Sequence, residues 1–517
     1  MAQLPHFVFS PNTLLSVIGL MRGPHTTRPT PHQDWRDATV DVVIPAFNEE
    51  HNVVRCLASV MRQTLRPRRL VLVDDGSADA TAERARAFCD FHGVELTVVQ
   101  RRQSIGKTPT IKEQTRRLDS DVQFILDADT VLESNDYIER TVHDLYQATG
   151  IASACGTVRP LRQRDRRAAD ESAEVVAFAD AFPSFQPAAA KGWLRRVASA
   201  LTNTYREVLY LFLQRIVYRG QMAVFGTLCN PVGCAVAYRR EYLKALFDEV
   251  EPTLGDDLTN SEDIFIGLAM VNEGYRNIHV PDVCARTVEP EVQRLPRQVY
   301  LWSSAFLQSS YYFDALLKSP LKALKRRKRR RQGNGRDGGR PVSVPMTVPM
   351  GSVAFAGMSG TSPQPLLSVA TAIVTALPAT WRPRAEAALS SRQRPSSERR
   401  RIQEPYRQAF GNAHTLRYGR PAGWALMSSA VEKIGFPAVL LAMALLGNWE
   451  GLLITVCAET LLTTAALMIA MKGQRLEYLV KSIAVTPIRY ALLVTEFVTI
   501  ARFASDLWVT KNRRWRK

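Results

Sequence analysis

Runs of apolar residues recur along the first third of this 517-residue chain, and two of them end in acids. TVDVVIPAF (39–47) is the first, LVLVDDG (70–76) the second, ELTVVQ (95–100) the third and FILDAD (124–129) the fourth. Continuous apolar runs of this length read as strands buried on both faces. Between them, residues 49–63, 79–88 and 111–118 carry apolar positions at helical spacing, with Asp79 placed to cap the second stretch. Strands alternating with helices predict an α/β fold on a doubly wound, mostly parallel sheet. Ligands of such sheets sit beyond the carboxyl ends of the strands, where Asp74, Asp75, Asp127 and Asp129 fall.

Farther along, residues 160–220 read as mostly helical, and TLCNPVGCAVAYRREYL (227–243) as loop, strand and short helix. Two acidic pairs come next, Asp256-Asp257 and Glu262-Asp263, then IHVPDV (278–283) and LPRQVYLW (295–302). Residues 320–420 turn rich in Arg, Pro, Gly and Ser and read as a partly disordered linker; LLSVATAIVTAL (366–377) within it is short for a span. From Trp424 the pattern becomes membrane-like. Residues 424–446 and 451–471 are each long enough to cross a hydrocarbon core of about 30 Å. Glu432, Lys433 and Glu459 interrupt them and are expected to snorkel or to face a partner helix. A third stretch, 479–503, carries Arg489, Glu496 and Arg502. A single crossing there would put the basic tail KNRRWRK opposite the other basic flanks, so an interfacial helix or a re-entrant pair is expected.

The net charge of +18 is concentrated in KRRKRRR (325–331), Arg399 to Arg401 and the tail. Such runs serve nucleic-acid binding or flank membrane helices. No zinc spacing or recognition module supports the first use, and the apolar segments of the last hundred residues favour the second, so no nucleic-acid partner is expected. The seven cysteines are scattered; Cys229 and Cys234, the closest pair, fit neither a zinc site nor a redox pair, and all read as reduced residues of a cytosolic domain. Phe7 to Met21 is apolar, but too short to span and without a basic leader, so it reads as an interfacial segment rather than a signal peptide.

Asp127-Ala128-Asp129 carries the most chemistry. Two carboxylates one residue apart at a strand exit can reach one divalent cation, and hard oxygen ligands suit Mg²⁺ or Mn²⁺. The same tripeptide also makes an ordinary strand-end turn.

VVIPAFNEE, VLVDDGS, Gly106-Lys107, DADT, Ser261-Glu262-Asp263 and QVYLW, in this order and followed by membrane helices, resemble the family 2 glycosyltransferases. The resemblance covers about residues 40–305 and the C-terminal layout. It is nearest to the membrane-bound subset that includes the synthases of cellulose, chitin, hyaluronan and poly-N-acetylglucosamine. It implies a GT-A fold with a Rossmann-like nucleotide-binding half. By the same resemblance Pro45, Ala46 and Glu49 contact the base and ribose, Asp75 reads the uracil or ribose side, and Gly106-Lys107 meets the diphosphate. Asp127 and Asp129 match the metal-binding pair. Asp263, with Glu262 beside it, matches the catalytic base: it lies eleven residues before Gly274 of the Gly-Tyr pair, as the family's base does, and an apolar helix comes after it. Asp256 and Asp257 of the GDD sequence are then an upstream loop. Gln298 and Trp302 match the acceptor motif QxxRW, whose Arg is here Leu301; Arg294 or Arg297 is the candidate replacement for its charge. Gly233 matches an acceptor loop and Gly156 a strand-end glycine.

The resulting reading is an inverting, metal-dependent glycosyltransferase. A nucleotide-sugar donor, a UDP-sugar by expectation, would give its sugar to a glycan or lipid-linked acceptor. Membrane lipids would be partners of an integral membrane protein whose catalytic domain faces the cytoplasm. The expected organisation is an interfacial N-terminal extension (1–38), the GT-A domain (39–305), an interfacial helix and basic linker (306–420) and a membrane region with a basic tail (421–517). Three rivals stay open. One is a non-processive transferase acting on a lipid or protein, which Leu301 favours. The others are a catalytically inactive membrane scaffold and a basic nucleic-acid-binding protein.

Overall fold

The computed structural model describes residues 34–511, except 149, 184–191, 255–258, 260, 334–420 and 472, together with Leu14, Val17, Ile18, Leu20 and Met21. The readings placed on residues 1–13, the GDD sequence, most of the 320–420 linker and the basic tail therefore lie outside the described residues. The chain divides into two compact units, Met1–Leu321 with Glu404–Lys517, and Lys322–Gln403. The sheet, the helices that cover it and the candidate site all belong to the first unit.

Four apolar runs become strands β1 (Val40–Ala46), β2 (Arg69–Asp74), β3 (Thr97–Gln100) and β4 (Val122–Leu126). Helices α1 (Val53–Met61), α2 (Thr81–Phe91) and α3 (Lys107–Arg117) connect them. All three pairings among these strands are parallel, in the order β3-β2-β1-β4. The chain winds outward from β1 through β2 to β3, then crosses back to β4 on the other side of β1. That reversal is the crevice in which ligands of open α/β sheets bind. Asp79 does not occupy the cap of α2, which falls on Ala80, but its carboxylate accepts the Thr81 amide at 3.1 Å and the Glu50 amide at 3.1 Å, tying the β1 loop to that helix.

Beyond β4 the sheet is mixed rather than parallel. The strands are β5 (Thr130–Leu132), β6 (Ile151–Pro160), β7 (Ala235–Arg239) and β8 (Arg276–Thr287). They extend the order as β4-β7-β6-β8-β5, with β7 antiparallel to both β4 and β6. A strand returning directly beside its neighbour needs no crossover, so these edges form where the chain comes back from helical insertions. Gly156 lies inside β6 rather than at its end. It sits at a register shift, where a Cβ would come within 2.5 Å of the Tyr137 ring. The closeness holds the Tyr137 hydroxyl, which donates to the Ala235 carbonyl at 2.9 Å and accepts the Gly156 amide at 2.8 Å.

The core lies on both faces of this sheet, with Val42, Ile44, Leu72, Phe124, Leu126 and Ala154 wholly buried. Each fully buried Val, Leu, Ile or Phe contributes roughly 1.5–3 kcal/mol against its exposed state. Further helices cover it: α4 (Tyr137–Leu145), α5 (Gln163–Asp170), α6 (Ala173–Ala181), α7 (Trp193–Phe212), α8 (Arg219–Phe225), α9 (Arg240–Leu254), α10 (Glu262–Glu273) and α11 (Leu295–Tyr312). A π-helical stretch, Leu213–Tyr218, joins α7 to α8. All seven cysteines are free; Cys56, Cys89, Cys155 and Cys229 are buried, and Cys457 is exposed.

Three C-terminal helices, α12 (Pro421–Leu445), α13 (Trp449–Ala470) and α14 (Arg475–Trp508), are long and apolar enough to cross a membrane. α14 is one continuous helix, not a re-entrant pair, and at 1.5 Å per residue its 34 residues span about 51 Å. Two of the charges carried by the third stretch are paired inside the bundle. Arg489 meets Glu459, which also accepts from the Tyr490 hydroxyl at 2.9 Å. Lys433 meets Glu496 at 2.8 Å. Inward-facing, mutually paired charges are how membrane helices carry them. α14 packs on α7 and α11 and so joins the helices to the sheet domain.

Candidate active site

The carboxyl end of β4 turns sharply. The Thr130 amide donates to the Asp127 carbonyl at 2.9 Å, so Asp127-Ala128-Asp129 is both the strand-end turn and the acidic pair. Asp129 is half-buried, and its Oδ1 accepts from the hydroxyls of Thr130 at 3.2 Å and Thr287 at 3.3 Å. Burial, then the charges of Asp127 and Glu49, push its pKa up to about 8. Lys107, the first residue of α3, reaches Asp127 Oδ1 at 2.6 Å and Glu262 Oε1 at 2.9 Å, and donates to the Gly233 carbonyl at 3.3 Å. Burial works against its charge, but the two carboxylates outweigh it and hold the ammonium charged.

Across the cavity, Asp263 lies in the first turn of α10. Its Oδ1 accepts from the Ser261 hydroxyl and from the Ile264 amide at 2.8 Å, while Oδ2 takes no donor among the described residues. Burial, then the Glu262 charge, raise its pKa above its ordinary value. Gly233 makes this position possible: a Cβ there would stand 2.7 Å from Asp263 Cβ and 3.0 Å from Oδ2. Gly267 does the same for the helix, since its Cβ would meet Asn230 Cα and Pro231 Cδ, each at 2.6 Å.

A cavity of about 290 Å³ joins these groups. Lys107, Asp127, Asp129, Gly233, Glu262, Asp263, Gln298 and Trp302 all line it. Gln298 and Trp302, four residues apart on α11, share one helix face. The remaining candidates lie elsewhere. Pro45 and Ala46 close β1 opposite Val73 and Asp74. Glu49, in the loop after β1, accepts from the Asn52 side-chain amide at 2.7 Å; burial raises its pKa, and Asp127 lies within electrostatic reach. Asp75 and Gly106 meet directly, the Gly106 amide donating to Asp75 Oδ2 at 2.8 Å. Asp75 also accepts from Ser104 Oγ at 2.6 Å, the Ile105 amide at 3.0 Å and Arg101 Nη1 at 2.8 Å. Burial raises its pKa, but these four bonds outweigh burial and lower it overall. Both oxygens carry two donors, so Asp75 organises the 101–106 loop. Arg294 and Arg297 are exposed and do not line the cavity.

The cationic partner of the Gln298–Trp302 face comes from α7. Arg206, wholly buried, donates to Gln298 Oε1, stacks over the Trp302 ring at 4.4 Å and pairs with Glu289 at 3.3 Å. Tyr210 and Gln214, one and two turns on, and Glu289, beyond β8, line the cavity as well. Sequence reading passed over all four. Their one signal was a charged residue inside the apolar stripe of α7, where Arg206 falls among Tyr205, Val208 and Leu209.

A family model for glycosyl transferase family 2 matches residues 41–247, from β1 into α9. The matched segment, 207 of the 517 residues, is thus similar to the glycosyl transferase family 2 domain. Among its relatives, an N-acetylglucosaminyltransferase of Azorhizobium caulinodans is 26% identical over 258 residues, covering 49% of this chain and 55% of the relative. One of Mesorhizobium japonicum is 26% identical over 305 residues, covering 57% and 62%. The chain thus matches little more than half the length of these relatives. A mannosyltransferase of Pyrobaculum calidifontis, solved with GDP-Man and Mn²⁺, aligns over 96% of this chain and 94% of its own at 16% identity and a TM-score of 0.41. At that distance the likeness carries no functional argument. The segment matched by the family model holds every candidate residue up to Gly233; Glu262, Asp263, Gln298 and Trp302 fall beyond it.

Proposed function

We propose that this chain is an inverting glycosyltransferase that moves a sugar from a nucleotide-diphosphate donor, a UDP-sugar, to a hydroxyl of a glycan or lipid-linked acceptor at the membrane. One observation carries the proposal: the acidic pair at the end of β4 and a carboxylate oxygen of Asp263 that takes no donor among the described residues open onto the same cavity, with Lys107 between them. The names of the relatives favour an N-acetylhexosamine as the sugar.

The residues at the end of β4 fit a hard divalent cation. Asp129 is desolvated among like charges, and Lys107 pairs with Asp127 beside it. Among the described residues no group of three or more His, Cys, Asp or Glu could hold a metal, so further ligands would come from the donor's diphosphate and water. Mg²⁺ typically binds in this way, through one or two carboxylates plus substrate phosphates. When bound, Mg²⁺ or Mn²⁺ would neutralise the departing diphosphate.

The chain's own groups do the rest. Lys107 is placed to exchange its carboxylates for a phosphate oxygen as a point charge. Asp263 Oδ2 takes the proton of the acceptor hydroxyl, and a raised pKa makes the carboxylate a stronger general base. Ser261 and the Ile264 amide fix the other oxygen, so the carboxylate is oriented before substrate arrives. Trp302 offers a face for the acceptor ring and Gln298 a hydrogen bond, both held by Arg206. The three apolar helices keep the domain beside a lipid-borne acceptor.

The test is product mass. Detergent-solubilised protein with Mn²⁺ would be offered UDP- and GDP-sugars and lipid-linked or oligosaccharide acceptors. A product one sugar heavier, or a chain of sugars, with the nucleoside diphosphate released, supports the reading. Release of nucleotide with free sugar as the sole product refutes acceptor transfer.

A further inference from the structure

A second and larger cavity, of about 600 Å³, is lined in part by the N-terminal two-thirds of α7. Seven Arg and Lys side chains line it against two carboxylates, Asp170 and Glu207. Both acids are committed. Asp170 holds Arg55 at 2.5 and 3.0 Å, and Glu207 accepts from Lys481 at 2.8 Å and from Tyr478 at 2.9 Å while also pairing with Arg162. Arg166, Arg167 and Arg196 make no ion pair among the described residues. A concave site with uncompensated guanidinium groups is built for an anion, and the planar fork of Arg matches phosphate oxygens.

Two observations say what carries the phosphate. Lys481 and Tyr478 come from the first turns of α14, a helix apolar and long enough to cross a membrane, so the cavity adjoins the head of that helix. Next to the α7 face that lines the cavity, Trp193, Leu194, Val197 and Leu201 are 66%, 65%, 59% and 40% exposed. An apolar stripe beside basic residues on one helix is the pattern of a segment lying in the lipid headgroup layer. We propose that this cavity holds the phosphate head of a lipid. The proposal extends the transferase reading, since Arg166 lies within electrostatic reach of Asp129 and Glu49 and would set such a head beside the reaction centre. Binding itself needs no turnover.

The test uses the full chain in neutral detergent. Thermal unfolding is followed against dihexanoyl phosphatidic acid, dihexanoyl phosphatidylcholine and inorganic phosphate. Phosphatidic acid should raise Tm at lower concentration than phosphate, and phosphatidylcholine should have little effect. The exposed pair Arg167→Gln with Arg196→Gln should weaken the phosphatidic acid response roughly tenfold or more. Arg86→Gln with Arg117→Gln removes the same charge elsewhere and should leave it unchanged. Phosphate acting at the same concentration as phosphatidic acid overturns the lipid assignment in favour of a soluble phosphate ester. Equal losses in both double variants, or no preference for phosphatidic acid over phosphatidylcholine, overturn the site. Because the readout is binding, a failed transfer assay leaves each result interpretable.

Discussion

Replacing Gly233 by Ala adds one methyl group and removes no functional atom, yet it should disable the site. The new Cβ would stand 2.7 Å from Asp263 Cβ and 3.0 Å from Cγ and Oδ2. Carbon atoms rest at about 3.5–4.0 Å, so the loop and the carboxylate must part by roughly 0.8 Å or more. Neither gives easily. Asp263 is pinned by Ser261 and the Ile264 amide. The loop is backed by Gly267, which packs on Asn230 and Pro231. Misplacing a reacting group by about 1 Å can cost on the order of a hundredfold, so kcat should fall roughly 30- to 100-fold while the donor KM moves little. Overpacking of this kind costs about 1–3 kcal/mol of stability, which leaves a folded protein to assay. Single-turnover release of nucleoside diphosphate at saturating donor is the measurement, with circular dichroism and Tm as folding checks. In an Asp263→Asn background the same substitution should add almost nothing, because both act through one group. A folded Gly233→Ala enzyme with wild-type kcat would refute the assignment of Asp263 as the base.

The same geometry gives three other expected outcomes. Burial and then the Glu262 charge raise the Asp263 pKa above its ordinary value, and a base must be ionised, so kcat/KM should rise with pH on a limb displaced upward from that of a free aspartate; Glu262→Gln should move that limb to lower pH. Asp129, pushed up to about 8, must lose its proton to bind a cation, so calorimetric Mn²⁺ affinity should climb between pH 6 and 8, about tenfold per unit where one proton is released, and flatten above. Arg206→Gln strips Gln298 and Trp302 of their support and leaves Glu289 buried without its cation, so the acceptor KM should rise, the donor KM should hold, and stability should drop by about 3–5 kcal/mol in denaturant titration.

The parallel half of the sheet was legible because its strands are buried on both faces and so appear as unbroken apolar runs. The acidic pair was legible because it ends such a run. The spacing from Asp263 to Gly274 was legible because it measures a helix: Gly274 ends α10 at φ +92°, a left-handed position suited to glycine. The antiparallel edges were hidden, since β7 and β8 are placed by partners up to 157 residues away in sequence, as Thr130 is from Thr287. Arg206 and Glu289 were hidden for the same reason: 83 residues separate them, and only packing brings them together. The resemblance implies that Asp75 reads the base or ribose; its four donors from residues 101–106, which fix that loop, were not legible because they come from a segment beyond β3. The basic tail argued for an interfacial helix or a re-entrant pair in the third apolar stretch, but the stretch is one continuous helix whose Arg489 and Glu496 face Glu459 and Lys433, pairings that no local pattern announces.

The central claim is that Asp263 takes the acceptor proton in a metal-assisted sugar transfer. Its most direct test compares wild type with Asp263→Asn in single-turnover transfer from UDP-N-acetylglucosamine and other UDP-sugars, with Mn²⁺ and with chelator. Transfer should require the metal and fall about 10²- to 10⁴-fold in the variant, while binding of the donor is retained. Transfer of equal rate in both proteins, or undiminished by chelator, would contradict it.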